Sequence, residues 1–98
     1  MMRISKRLAT ISALIDHDSV VADVCSDHGK LLLYLHEQGR ISKGYGIENK
    51  SGPFLILQES LSSLPKAQLI AIMQDGISHL ESDVDTLVLA GLGGETII

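Results

Sequence analysis

Four short apolar runs, each followed by a polar or glycine-bearing turn, constrain this chain more than any other feature. They are Val20 to Cys25, Gly44 to Asn49, Gln68 to Met73 and Val84 to Ala90. Each is too short for an ordinary helix and reads as a strand buried by its neighbours. Leucine-rich segments at helical spacing lie between and before them. Ile4, Leu8, Ile11 and Leu14/Ile15 predict an amphipathic helix over residues 4–15, with Arg3, Lys6 and Arg7 near its polar start. Lys30 to Gln38 predicts a second helix, stopped by Gly39. Ser51-Gly52-Pro53 predicts a helix start with proline at the first helical position. Phe54, Leu57, Leu61 and Leu64 then share one face until Pro65, and a further helix is expected to begin at Glu95.

Strands alternating with helices through short connections imply a parallel sheet wound right-handed, a Rossmann-like α/β layer. Such sheets bind ligands at the carboxyl ends of their strands, near the point where strand order reverses. The unusual residues fall there. Cys25-Ser26-Asp27-His28 follows the first strand and Glu48-Asn49 closes the second. Asp75-Gly76 follows the third strand, and Gly91 to Gly94 follow the fourth, which Ala90 closes. No repeat or linker divides the 98 residues, so one domain portion is expected over 1–98.

Composition narrows the class. The chain is 45% hydrophobic and 20% charged, as expected of a folded α/β layer rather than a disordered segment. A formal net charge of −4 argues against a domain that grips nucleic acid unaided. The single cysteine leaves no internal disulfide and suits a reducing compartment. No apolar run approaches the ~20 residues of a membrane span, and polar residues interrupt the start of the chain where a signal peptide would be apolar. A cytoplasmic location without a membrane partner is the expectation.

The edge residues suit a particular ligand chemistry. Glu48 follows Asp23 by 25 positions, near the ~20-residue spacing at which an acidic residue meets ribose hydroxyls in nucleotide-binding sheets. Asp75 is placed to meet an adenine amino group, and Asp23 and Asp27 add negative charge nearby. A carboxylate about 4 Å from a cation gains ~4 kcal/mol at an effective dielectric of 20, before desolvation. Such a pocket favours a cationic nucleoside over a pyrophosphate. The stretch Asp23 to Gly29 also lacks the three spaced glycines of a dinucleotide loop. Bland readings compete: Asp27 could simply cap the following helix, and each acidic residue alone could be a solvated loop residue. Their joint placement outweighs those readings.

Several motifs together resemble the bacterial tRNA (adenine-22-N1)-methyltransferase family. They are Ser5-Lys6-Arg7-Leu8, Ala22-Asp23-Val24-Cys25-Ser26-Asp27-His28, Ile41-Ser42-Lys43, Glu48-Asn49-Lys50 with Gly52-Pro53, Asp75-Gly76, Val84 to Val88, and Ala90-Gly91-Leu92-Gly93-Gly94. The resemblance implies a class I methyltransferase fold, S-adenosyl-L-methionine as methyl donor and N1 of a tRNA adenine as acceptor. It also implies that Asp23, Cys25, Ser26, Asp27, His28, Glu48, Asn49, Asp75, Gly76, Ala90 and Gly91 line the cofactor site. Gly93 and Gly94 would face the substrate base, and Asp27 is the candidate catalytic contributor through its charge. The family usually has glycine where this chain has Cys25, so a side chain there crowds the expected ligand. The family also continues into further strands and a helical extension, so the chain is read as an N-terminal part ending after its fourth strand.

Other readings remain. His28 could act as a base, although a polar contact fits an acceptor that needs none, while His17, His36 and His79 read as surface residues. Cys25, Asp27 and His28 lie within four positions of one loop and make a poor metal site, so no metal is expected. Arg3, Lys6 and Arg7 could touch tRNA phosphates or form a solvated face. A degenerate fragment, an NAD(P)-binding module and an interaction domain are the alternatives. Val84 to Ala90 as an apolar edge strand predicts self-association or marginal stability.

Overall fold

A computed structural model describes residues 5–24, 29–64, 68–75, 77 and 79–89. The elements run α1 (Lys6–Ala13), β1 (Val20–Val24), α2 (Lys30–Glu37), β2 (Lys43–Glu48), α3 (Ser51–Ser62), β3 (Gln68–Met73) and β4 (Thr86–Val88). The four strands are parallel in the order β3-β2-β1-β4. This is the Rossmann-like sheet expected from the alternation. Strand order reverses at β1, because β2 and β3 extend to one side and β4 lies on the other.

The period of two along each strand sorts the core into two faces. Val21, Leu69 and Val88 join Ile11, Ile15, Leu31, Leu32, Leu35, Leu57 and Leu61 in the larger buried cluster, which holds all three helices on one face. Burying a leucine of this kind contributes about 1.5–3 kcal/mol, so these helices are fixed by packing rather than by propensity. On the opposite face Ala22, Val24, Ile47 and Leu87 form a second cluster, with Ile72, Leu80, Val84 and Leu89 packed against it. Val21 to Val24 are all buried, in keeping with a strand covered on both sides.

Local chemistry sets the helix ends. Ser5 caps α1, its side chain accepting the Leu8 amide at 3.2 Å. α2 ends in a Schellman turn: Gly39, at φ +70, donates to the His36 carbonyl, and the Arg40 amide donates to the Leu35 carbonyl at 2.9 Å. Arg40 also reaches from this turn to the Ile15 carbonyl, tying α2 to the end of α1.

Several sequence expectations need correction. α1 stops at Ala13 rather than residue 15; Leu14 is its exposed C-cap, and Ile15 turns into the core as part of the following loop. Pro53 occupies the third helical position of α3, because the helix already starts at Ser51. Proline fits there because the first α3 amide bonded back into the turn is that of Phe54, which donates to Lys50. β2 runs one residue earlier than expected, Lys43 to Glu48. β4 is shorter than expected: Asp85 precedes it, tied by its backbone and carboxylate to Val20, and the strand covers only Thr86–Val88. Leu64 lies beyond the end of α3, and His36 is half-buried rather than a free surface residue. The turn and helix expected over 91–98 lie outside the described residues.

Candidate functional site

The parallel register brings the carboxyl ends of β1, β2 and β3 to one edge. Val24 pairs with Ile47, Ile47 with Ile72, and Glu48 with Met73. The segments following these positions therefore leave the sheet side by side, at strand spacings of about 4.8 Å. β1 also lies beside β4, Asp23 pairing with Val88, so the reversal of strand order falls at the same edge.

Glu48 is held by the turn that opens α3. Its Oε1 accepts the backbone amides of Asn49 at 3.0 Å and Lys50 at 3.2 Å. Both donors precede the helix and have no intrahelical partner, so the carboxylate is oriented while Oε2 is left for another donor. The side chain is half-buried, which limits water competition without sealing the site. Asn49 links the second and third strand ends: its Nδ2 lies 3.5 Å from Asp75 Oδ1, at the outer limit of a hydrogen bond. The Gln74 amide donates to the Glu48 carbonyl at 3.1 Å, extending the ladder to the turn that carries Asp75. Asp75 itself is exposed.

Asp23 is buried at 5% exposure and has an interaction partner. It stands in the β1 segment opposite Gly46 and Val88, two residues short of the loop. The chain re-enters the described fold at Gly29, the N-cap of α2, with φ +74 and no side-chain cap. A Cβ built there would lie 2.8 Å from Leu61 Cδ2 and 3.2 Å from Leu57 Cδ1, so the first turn of α2 is pressed onto α3.

Glu48, Asn49 and Asp75 are thus neighbours, with Asp23 one strand away. Cys25, Ser26, Asp27, His28, Gly76, Ala90, Gly91, Gly93 and Gly94 lie outside the described residues. Two surface depressions, one lined by Leu33, His36, Glu37, Ser63 and Leu64 and another by His17, Tyr34, Gln38 and Arg40 with the end of α1, contain none of the expected site residues. Among the described residues no cluster of three His, Cys, Asp or Glu is arranged to hold a metal ion.

Sequence reading missed a polar cluster elsewhere on the sheet. The Tyr45 hydroxyl donates to Asp83 Oδ1 at 2.9 Å, Lys43 pairs with Asp83 Oδ2, and the Lys43 ammonium lies 5.7 Å from the centre of the Tyr45 ring. Hydrogen bonds from Lys43 and then Tyr45 hold the Asp83 carboxyl below its usual range. Asp83 in turn raises Lys43, while burial, followed by the bond to Asp83, raises Tyr45. Nothing local in the sequence signals this contact across 38 positions.

A parallel 3-2-1-4 sheet with helices filling one face and acceptor residues at the carboxyl ends of β2 and β3 defines a Rossmann-like nucleotide-binding fold. The chain belongs to the methyltransferase-domain family, whose model matches residues 4–98. It is 31% identical over 98% of its length to the tRNA (adenine(22)-N(1))-methyltransferase of Bacillus subtilis (strain 168), and spans 41% of that protein. The crystal structure of the B. subtilis m1A22 tRNA methyltransferase superposes with a TM-score of 0.81 at 28% identity, over 89% of this chain and 38% of that one. The M. capricolum enzyme, solved with S-adenosylhomocysteine, superposes with a TM-score of 0.73 over 85% of this chain and 38% of that one; at 21% identity the likeness concerns the fold. No helix among the described residues is long and apolar enough to cross a membrane.

Proposed function

We propose that residues 1–98 form the N-terminal portion of a single S-adenosylmethionine-binding Rossmann-like domain, in a methyltransferase that modifies N1 of a tRNA adenine. The carrying observation is the meeting of Glu48, Asn49 and Asp75 at the carboxyl edge of β2 and β3, one strand from buried Asp23. The relative from B. subtilis supports the acceptor assignment, and the chain spans about two-fifths of that protein's length.

The donor set fits the cofactor. Carboxylates accept hydrogen bonds and attract cations, so Glu48 Oε2 suits ribose hydroxyls and Asp75 an adenine amino group. Asp23 and Asp27 favour the ammonium and sulfonium charges, while a pyrophosphate would be repelled. Cys25, Ser26, His28, Asn49, Gly76, Ala90 and Gly91 complete the proposed cofactor contacts, with Gly93 and Gly94 beside the acceptor base. When bound, the cofactor supplies an electrophilic methyl group. Unprotonated adenine N1 is already nucleophilic, so the protein's residues act by alignment, by excluding water and by tolerating the positive charge that develops on the base. Asp27 is the proposed electrostatic contributor, and the target base would be unstacked to reach the site.

Calorimetric titration of the chain with S-adenosylhomocysteine and with NADH tests the reading. Binding of the former, weakened in Glu48→Gln, is expected. Tighter binding of NADH would favour a dinucleotide module, and binding of neither would favour an interaction domain. Transfer of labelled methyl to tRNA, located at adenine N1 by nucleoside analysis, tests the acceptor separately.

A further inference from the structure

β3 forms one end of the sheet among the described residues, and its free side carries a self-complementary pattern. The amides of Gln68 and Gln74 donate inward to the carbonyls of Ser42 and Glu48 at 3.1 Å. Parallel pairing with β2 therefore uses the even-numbered backbone groups, and alternation directs the N–H and C=O of Leu69, Ala71 and Met73 outward. No further backbone hydrogen bond to these three occurs among the described residues.

The same edge lacks the devices that discourage strand pairing. Gln68 to Met73 contains no charge and no proline, unlike most protected edges. Ile70 and Met73 are 43% and 55% exposed despite their size. Ile70 and Ile72 share the sheet face opposite the helices, where Ile72 borders the second core cluster.

We infer that β3 is the pairing surface for a second copy of this chain, joined antiparallel about a two-fold axis at Ala71. In that register Leu69 opposes Met73 of the other copy and Ala71 opposes its counterpart, so each outward N–H meets an outward C=O. Ile70 then opposes Ile72 across a non-hydrogen-bonded pair, where side chains approach most closely. An uncharged strand meets no like-charge repulsion when paired with itself. The contact is isologous and uses the β3 edge of each copy, leaving β4 at the far end of the sheet, so this pairing closes at a dimer instead of propagating. A single pair of six-residue strands is a small interface, which places the association in the weak class. The surface runs along the free side of β3 and ends at Met73, beside Glu48 at the carboxyl edge, and it does not depend on the proposed activity.

Sedimentation equilibrium of the 98-residue chain over roughly 5–500 µM tests the inference. The average mass is expected to rise from one copy toward two and no further. Ile70→Lys and Met73→Lys each place a charge on the edge at an exposed position and are expected to hold the mass at one copy. Leu55→Lys, at an exposed site on α3, is expected to associate as the parent does. A parent that stays monomeric throughout, edge variants that still dimerise, or loss of dimer in Leu55→Lys alone would each overturn the assignment.

Discussion

The Tyr45 hydroxyl reaches Asp83 Oδ1 at 2.9 Å and joins the middle of β2 to the connection between β3 and β4. Through this bond the segment bearing Leu80 and Val84 is held against the second face of the sheet, where both pack on the smaller core cluster. Tyr45 itself is only 5% exposed, so its hydroxyl needs a partner, and Asp83 supplies it.

This cluster sets a pH window for stability. Asp83 is held low, so its contribution is present above the usual carboxylate pKa and is lost as pH falls through the lowered value. Lys43 and Tyr45 are held high, so theirs is present below their ordinary values and is lost as pH rises through the raised ones. Thermal melts should show a plateau between about pH 5 and pH 9, with declines on both sides. Tyr45→Phe should lower the melting temperature by a few degrees on the plateau and flatten the alkaline limb; an unchanged alkaline limb would remove Tyr45 from the account.

Gly29→Ala tests the seam between α2 and α3. A residue with a Cβ at φ +74 costs about 1–2 kcal/mol, and the added carbon would meet Leu61 Cδ2 at 2.8 Å. Overpacking of this kind adds about 1–3 kcal/mol. Urea denaturation should show a loss of roughly 2–5 kcal/mol with an unchanged m-value; a loss below about half a kilocalorie would mean that the two helices readily part.

Glu48→Gln keeps the size of the side chain but removes its charge and one acceptor. Hydrogen bonds to charged groups contribute about 1.5–3 kcal/mol, so affinity for S-adenosylhomocysteine should fall by roughly 10- to 150-fold. Asp75→Asn should cost less, because Asp75 is exposed and water competes for its contact. Equal affinity in Glu48→Gln and the parent would separate Glu48 from the ribose.

The family resemblance implies glycine at the position that Cys25 occupies in this chain. Cys25→Gly should raise cofactor affinity if the side chain crowds the ligand, by about 2- to 10-fold, with a small loss of stability from added chain entropy. Calorimetry and a thermal melt on the same sample read both. Unchanged affinity would mean that the thiol points away.

Much of the fold was legible because each strand and helix announces itself over a few neighbouring residues. The apolar run Val20 to Val24, the leucines of α2 with Gly39 at its end, and the acidic turns at Glu48 and Asp75 are local patterns. Local patterning also fixed the alternation from which a parallel sheet, and hence a common carboxyl edge, follows. It blurred the ends of elements, where pairing partners decide. β4 extends only as far as its register with β1, and α3 begins where Lys50 supplies the first carbonyl.

The sequence by itself determined the order of strands and helices and the kinds of side chain carried by each turn. Tertiary structure decided which turns became neighbours, how Glu48 is oriented by two backbone amides, and that Asp83 returns to Tyr45 across 38 positions. It also decided that β3 lies at a sheet end with its outward backbone groups unpaired among the described residues. The division has a physical cause: propensity and periodicity act over a few residues, whereas sheet order and ion-pair partners are set by burying both faces of the sheet at once.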